Sequence, residues 1–325
     1  MSAAQKMHAP ATGERPIPKH IRRSVLCLSI DDPQLGQKAY DSWADAIVLD
    51  TVKASGRDWQ QDLKSRVPGA IDAAARGGAE VFVRIGGDTA IAELDSVVFS
   101  GLAGLVLRGV NAADEVRKAC ERLDALEETR GIAGGSLEID VEITSAAGVW
   151  NSLEIARASP RFGTFTLDER ALSRDLGMSL ERVAEFEPLE YIKSQIITVA
   201  TSVGGQAQGM SYPLSLTQEN IGEADLKKAV RRARDTGFKG AVCAHASWIR
   251  ACNEGFRPSP EETAYYVKVR EVFAEGLKRG MASVPIDGKM IDVPVDVRAR
   301  LYLDWANRAQ ARDEEKRRAH ESRPA

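Results

Sequence analysis

The sequence predicts an α/β chain folded as a (β/α)8 TIM barrel with additional C-terminal helices. Eight short apolar runs alternate with helix-length segments from residue 24 onward, a rhythm that belongs to parallel sheets crossed over by helices. The count favours closure into a barrel over an open doubly wound sheet. Past the eighth run, two further helical segments continue the chain. The 325 residues are therefore expected to divide into a flexible lead-in (1–21), the barrel (22–256), a helical extension (257–308) and a charged tail (309–325).

Each element has a local reason. The lead-in carries Pro10, Pro16 and Pro18 with little apolar content, which disfavours a packed core. Strands are expected over 25–30, 46–50, 80–84, 104–107, 137–143, 163–167, weakly over 209–214, and over 240–244. Helices fall between them over 59–76, 112–128, 149–158, 180–198 and 223–236. Gly77-Gly78, Gly134-Gly135 and Gly237 follow helical segments as C-terminal caps. Ser259, Pro260, Glu261 and Glu262 read as a capped helix start. That helix runs to Arg279, Asp287-Gly288 makes a turn, and a last helix spans Pro294 to Arg308. Residues 309–325 are rich in Arg, Glu and Lys and read as a frayed, solvated helix.

Composition excludes several classes of partner. With 44 basic and 47 acidic residues the net charge is −3, so no broad field draws the chain to nucleic acid or an anionic membrane. The N-terminus lacks the apolar core of a secretory signal, and no run approaches membrane-spanning length. Cys27, Cys120, Cys243 and Cys252 have no C-x-x-C spacing, which fits reduced thiols and a cytoplasmic home. A binding site for an anion must then be built locally.

The most informative stretch is 137–144. Leu137, Ile139, Val141 and Ile143 share one strand face, and Glu138, Asp140, Glu142 and Thr144 share the other. Three carboxylates on one face are costly to bury unless a cation or a hydrogen-bonding partner meets them. A metal or acid/base site, a structural ion-pair network and a wet edge strand all remain open. His245 ends the eighth strand and could serve as acid or base or as a structural histidine. Trp150 and Trp248 follow strands five and eight, where each could face a ligand or pack. Asp168, Glu169 and Arg170 follow the sixth strand, and Gly86-Gly87-Asp88 follows Arg84. No P-loop, dinucleotide-binding turn or nucleophile elbow is present.

Several stretches together resemble the HpcH/HpaI aldolase/citrate lyase family, in its citrate lyase beta-subunit-like branch. They are Arg22-Arg23-Ser24 with Asp32-Pro33, residues 43–50, Val83-Arg84, residues 104–107, Gly148 to Ala156, and Ser159-Pro160-Arg161. The strongest are His245 with residues 253–262, then residues 287–294. The resemblance implies a barrel, often trimeric or hexameric, that makes or breaks carbon–carbon bonds in small hydroxy acids or their CoA thioesters. It implies magnesium held by one Glu and one Asp, and an arginine ending the third strand, here Arg84, that steadies an enolate or carboxylate. Arg84, Asp50 and Glu142 are the expected catalytic set, with Arg84, Asp32 and His245 expected to bind a small acidic substrate.

The metal positions depart from the family pattern. Its glutamate falls on Thr144, its aspartate on Ala171, and the acids usually following Leu49-Asp50 fall on Val52 and Lys53. Glu142 lies on the face of Thr144, roughly 6.6 Å deeper along the strand, and is the remaining candidate ligand. It either holds a displaced cation or pairs with Arg84. Three functions follow as expectations: a carbon–carbon lyase working through an enolate, a catalytically silent homologue that binds an acidic ligand or serves as a structural subunit, and a metal-independent acyl-thioester hydrolase or lyase.

Overall fold

The computed structural model describes residues 21–51, 59–86, 90–178, 189–210 and 221–322. Its strands are β1 (Ser24–Ser29), β2 (Ala46–Asp50), β3 (Glu80–Gly86), β4 (Gly104–Arg108), β5 (Glu138–Ile143), β6 (Phe162–Leu167), β7 (Gln206–Ala207) and β8 (Ala241–Cys243). They form one parallel sheet in the order β7-β6-β5-β4-β3-β2-β1-β8. The outer strands meet where Lys239 N–H donates to Ala207 O (3.1 Å) and Gly209 N–H to Gly240 O (2.9 Å), with Gln208 bridging to Gly240. The (β/α)8 expectation holds.

One strand is corrected. The seventh was expected over 209–214, but the ladder forms at Gln206–Ala207, and 211–214 lie outside the described residues. Gln206, Ala207, Gln208 and Gly209 carry no apolar alternation, so their pairing comes from position in the barrel and not from local propensity.

The outward side chains of the strands, such as Ile139, Val141 and Ile143 on β5, join the main apolar core beneath the helices. The inward ones form a separate, smaller cluster of Val25, Ala46, Val48, Phe82 and Val106. Helices Trp59–Ala75 and Glu223–Thr236 fall within the expected segments, while Ala113–Arg130 and Glu190–Ser202 overlap theirs and run two and four residues past the expected ends. The segment expected over 149–158 is broken at Asn151 into Ala146–Trp150 and Ser152–Arg157. Leu35–Ser42, Ala90–Val97 and Glu169–Asp175 are helices of seven or eight residues, too short for an 11-residue-scale period to reveal.

Beyond the barrel, Ser259 and Glu262 make the reciprocal cap expected for Pro260–Lys278. Asp287 and Gly288, both at positive φ, turn the hairpin between Val284–Ile286 and Lys289–Ile291. The last helix, Val293–Glu321, is capped by Asp292.

The solvated tail is corrected too. The helix runs unbroken past Arg308 to Glu321 and docks beside the start of β2. Lys316 is only 1% exposed and donates to Asp45 Oδ1 at 2.6 Å. Arg23 binds the same carboxylate through Nε (2.8 Å) and Nη2 (2.9 Å), and donates to Asp313 at 2.5 Å. His320 stacks on Trp43 with centroids 3.8 Å apart. Burial alone would raise the Asp45 carboxyl, but Arg23 and Lys316 pull it down to about 2. Burial holds the Lys316 ammonium below its usual range. Two cations on one carboxylate favour the charged state, so the direction at Asp45 governs.

Lys316→Ala leaves Asp45 and the Trp43 carbonyl short of one buried donor and is expected to cost about 3–5 kcal/mol in urea unfolding. An unchanged midpoint would show that the clamp is dispensable. The pH dependence follows from the lowered carboxyl. The unfolded chain protonates Asp45 near 3.8 and the folded one near 2. The clamp's contribution is therefore complete above 3.8 and is lost as pH falls through that window.

Candidate functional site

The site lies at the C-terminal ends of β2 to β6, the end where barrels of this kind carry their chemistry. Parallel register places Asp50 beside Arg84, Arg108 beside Glu142 and Glu142 beside Thr166. Arg84 Nη2 donates to Asp50 Oδ2 at 2.5 Å, and its Nη1 to Glu142 Oε2 at 3.2 Å. Arg108 faces the other oxygen of Glu142 (Nε to Oε1, 3.5 Å) and donates through Nη2 to Asp168 Oδ2 at 2.5 Å. The result is a chain of alternating charge, Asp50–Arg84–Glu142–Arg108–Asp168. Its room is built in: a Cβ on Gly86 would stand 2.7 Å from Arg108 O and 2.9 Å from Arg108 Cβ.

Burial raises Glu142 above the ordinary carboxylate range, only partly opposed by Arg84 and Arg108. Burial also acts on Asp168, but the Ala171 N–H and Arg108 outweigh it and hold that carboxyl low. Two acids on one chain are thus tuned apart, which suits Glu142 to taking up a proton and Asp168 to staying charged. Arg84 and Arg108 remain reachable, with side chains 20% and 33% exposed. Cys27 lines the interior below, where burial pushes its thiol up to about 12, so it is no nucleophile at neutral pH.

Deeper in the barrel, the same face of β5 carries Asp140 and Glu138 inward. Arg22 closes the bottom, donating to Glu138 Oε1 at 2.5 Å and to Glu80 Oε2 at 2.9 Å, with its guanidinium over the Phe82 ring. The acidic face is neither a wet edge nor a compact metal cage. It is an ion-pair column along the barrel axis.

The donor set at the mouth does not fit magnesium. Magnesium needs near-octahedral oxygen ligands and keeps several waters, whereas both oxygens of Glu142 face guanidiniums, as do Asp50 and Asp168. Among the described residues, no group of three or more His, Cys, Asp or Glu could hold a metal ion. Thr144 follows the end of β5, and Ala171 lies in the first turn of Glu169–Asp175.

Other candidates separate from this set. Asp32 caps its own turn through Gln34 N–H (2.9 Å) and pairs with Lys38 (2.6 Å). Asp31 pairs with Arg66. His245 packs edge-on against Trp248, centroids 5.5 Å apart. Trp248 is buried, while Trp150 is 84% exposed. Glu169 pairs with Lys193 at 3.0 Å. Gly87, Asp88, Val52 and Lys53 lie outside the described residues. Arg108 was not among the expected site residues. Its signal was available: like Arg84, it is a lone arginine closing an apolar strand.

A model of the HpcH/HpaI aldolase/citrate lyase family matches residues 23–246. The citrate lyase subunit beta of Escherichia coli (strain K12) is 25% identical over 90% of this chain and 96% of its own length. A (3S)-malyl-CoA thioesterase of Cereibacter sphaeroides (strain ATCC 17023) is 25% identical over 87% and 94%. Among solved structures, a citrate lyase from Burkholderia xenovorans LB400 has a TM-score of 0.70 at 14% identity, covering 93% of this chain and 98% of that one. Protein CitE from Mycobacterium tuberculosis, in complex with magnesium, acetoacetate and coenzyme A, has a TM-score of 0.61 at 22% identity, covering 88% and 98%.

Excess magnesium or manganese added to chelator-treated protein is expected to leave Tm unchanged. An ion held at a hundred times its Kd would add about 2.7 kcal/mol, so a rise of several degrees would return a cation to Glu142.

Proposed function

The chain belongs to the HpcH/HpaI aldolase/citrate lyase family, and from that premise we propose that it cleaves or forms a carbon–carbon bond in a small hydroxy acid or its CoA thioester, with guanidinium groups meeting the anionic centre. The observation that carries this reading is the convergence of Arg84 and Arg108 on Glu142 at the barrel mouth. The names of the relatives supply the substrate class, since citrate lyase and malyl-CoA thioesterase both act on hydroxy acids or their thioesters.

Cleavage of a 3-hydroxyacyl thioester removes the hydroxyl proton, breaks the bond between the carbinol carbon and the α-carbon, and leaves an enolate. Glu142 takes the hydroxyl proton, and its raised carboxyl suits it to hold that proton until the enolate carbon accepts it. Arg84, fixed in orientation by Asp50, donates to the enolate oxygen as charge develops. Arg108, less buried and shared between Glu142 and Asp168, binds the substrate's carboxylate, for which a planar fork of donors is well matched. The proton inventory closes without a co-reactant.

The test is to incubate the protein with (3S)-malyl-CoA and with citryl-CoA in the presence of EDTA, following free CoA, acetyl-CoA and the released oxoacid. Chelator-insensitive cleavage is expected. Arg84→Lys is expected to lower kcat by about 10²–10³, and Arg108→Gln to raise KM more than it lowers kcat. Binding of both thioesters without turnover would favour the silent, ligand-binding homologue, a reading the paired state of the mouth carboxylates also supports. Free CoA without a new carbonyl product would mark a hydrolase.

A further inference from the structure

Among the described residues, the lower part of the barrel sets one guanidinium against three carboxylates. Arg22 is the guanidinium that faces Glu80 (2.9 Å), Glu138 (2.5 Å) and Asp140 (4.0 Å), and next above it Arg84 is already shared by Asp50 and Glu142. Asp140 is 6% exposed, and its Oδ1 is buried with no hydrogen-bond partner. An ionised carboxylate in that state costs several kcal/mol, whereas a neutral carboxyl costs far less. Burial first, then the charge of Glu138 and a hydrogen bond with it, push Asp140 well above the usual carboxylate range, with Arg22 and a hydrogen bond with Thr164 in opposition.

The backbone aims Asp140 there. The β5–β6 ladder loses register between Ile139 and Val141, with Phe162 opposite the first and Phe165 opposite the second, so an extra residue on β6 lies across from Asp140. Bulges of this kind re-aim side chains and gather beside functional sites. Gly163 at the bulge leaves space for Glu138, whose Oε1 would lie 1.8 Å from a Cβ there. Above Asp140 opens a cavity of about 60 Å³ that Arg22, Cys27, Arg84, Asp140, Glu142 and Gln208 help to line. That volume admits water, and Asp140 and Glu142 both face it, roughly 6.6 Å apart along one strand.

We propose that Asp140 holds a proton inside the barrel and exchanges it with Glu142 through water in this cavity, so that the β5 ladder is a proton store beneath the mouth. The acid O–H of Asp140 passes its proton to water as water passes one to the Glu142 carboxylate, and the reverse transfer restores both groups. Asp140 acts through Glu142 and is a positioning residue for the proton. Among the described residues, the charged and titratable groups around it are Arg22 ahead of β1, Cys27 on β1, Glu80 and Arg84 on β3, and Glu138 and Glu142 on β5. The store deepens the proposed lyase chemistry by buffering the proton that Glu142 takes, but its presence can be read without any substrate.

Infrared spectroscopy of the full chain at neutral pH is expected to show a protonated-carboxyl C=O band that is lost in Asp140→Asn, an isosteric change that keeps the site neutral. On transfer to D2O, the deuterium shift of that band is expected to be slower in Glu142→Gln than in the wild type, because the exit through the Glu142 carboxylate is closed. A band missing from the wild type, or unchanged in Asp140→Asn, would place no proton on Asp140. A shift equally fast in Glu142→Gln would overturn the route through Glu142. If Asp140→Asn does not fold, loss of the same band on selective isotope labelling of aspartate carboxyls, read as a frequency shift, decides the first point. Failure of these spectra leaves thioester cleavage standing, and failure of cleavage leaves the band.

Discussion

Glu142 sits between two guanidiniums, and the rest of the mouth depends on that placement. A carboxylate this deep is costly without compensation. Arg84 and Arg108 meet its two oxygens from β3 and β4, and each arginine is steadied on its far side by another acid, Asp50 or Asp168. Removing any member leaves a neighbour unmatched in a low-dielectric site. The five side chains therefore act as one rigid charged girdle, and a rigid donor array is what stabilises developing negative charge with little reorganisation.

The two ends of the barrel divide the work. At the C-terminal end the arginines are partly open to solvent. Near the start of β2, Asp45 is closed by Arg23 and Lys316 in a fully buried clamp that ties the last helix to the barrel. Both ends use acid–arginine pairing, but burial decides the outcome. A sealed pair holds parts together, and a half-open pair keeps its guanidinium within reach of solvent.

Much of this was legible in the sequence. The period of two along 137–144 placed Glu138, Asp140 and Glu142 on one face, and the strand order then put that face inside the barrel beside Arg84. The pairing of Arg84 with Glu142 was one of two alternatives the residues left open. The docking of the last helix was not legible, because Lys316 finds its partner 271 positions away, and an Arg/Glu/Lys-rich segment has the same pattern whether it is solvated or clamped. His245 and Asp32 were expected at the site because each ends a strand or begins a turn on the right side. Their contacts are with near neighbours in the chain, Trp248 and Lys38, and not with the Arg84–Glu142 chain of charge. The seventh strand lacked any apolar signal, so only barrel closure defines it.

The depth of Glu142, which is 8% exposed, carries a physical consequence for the choice of cation. A carboxylate at the rim can share a strongly hydrated divalent ion with several waters. A carboxylate one strand pleat lower stands over a small interior cavity and has both oxygens facing guanidiniums. The cation that suits that depth is weakly hydrated, planar and tethered, and guanidinium has all three properties. Arg108, ending β4 directly beside Glu142 in the ladder, supplies one from the adjacent strand. Glu142 is thus met inside the barrel mouth by two covalently held cations, one from each of two neighbouring strands.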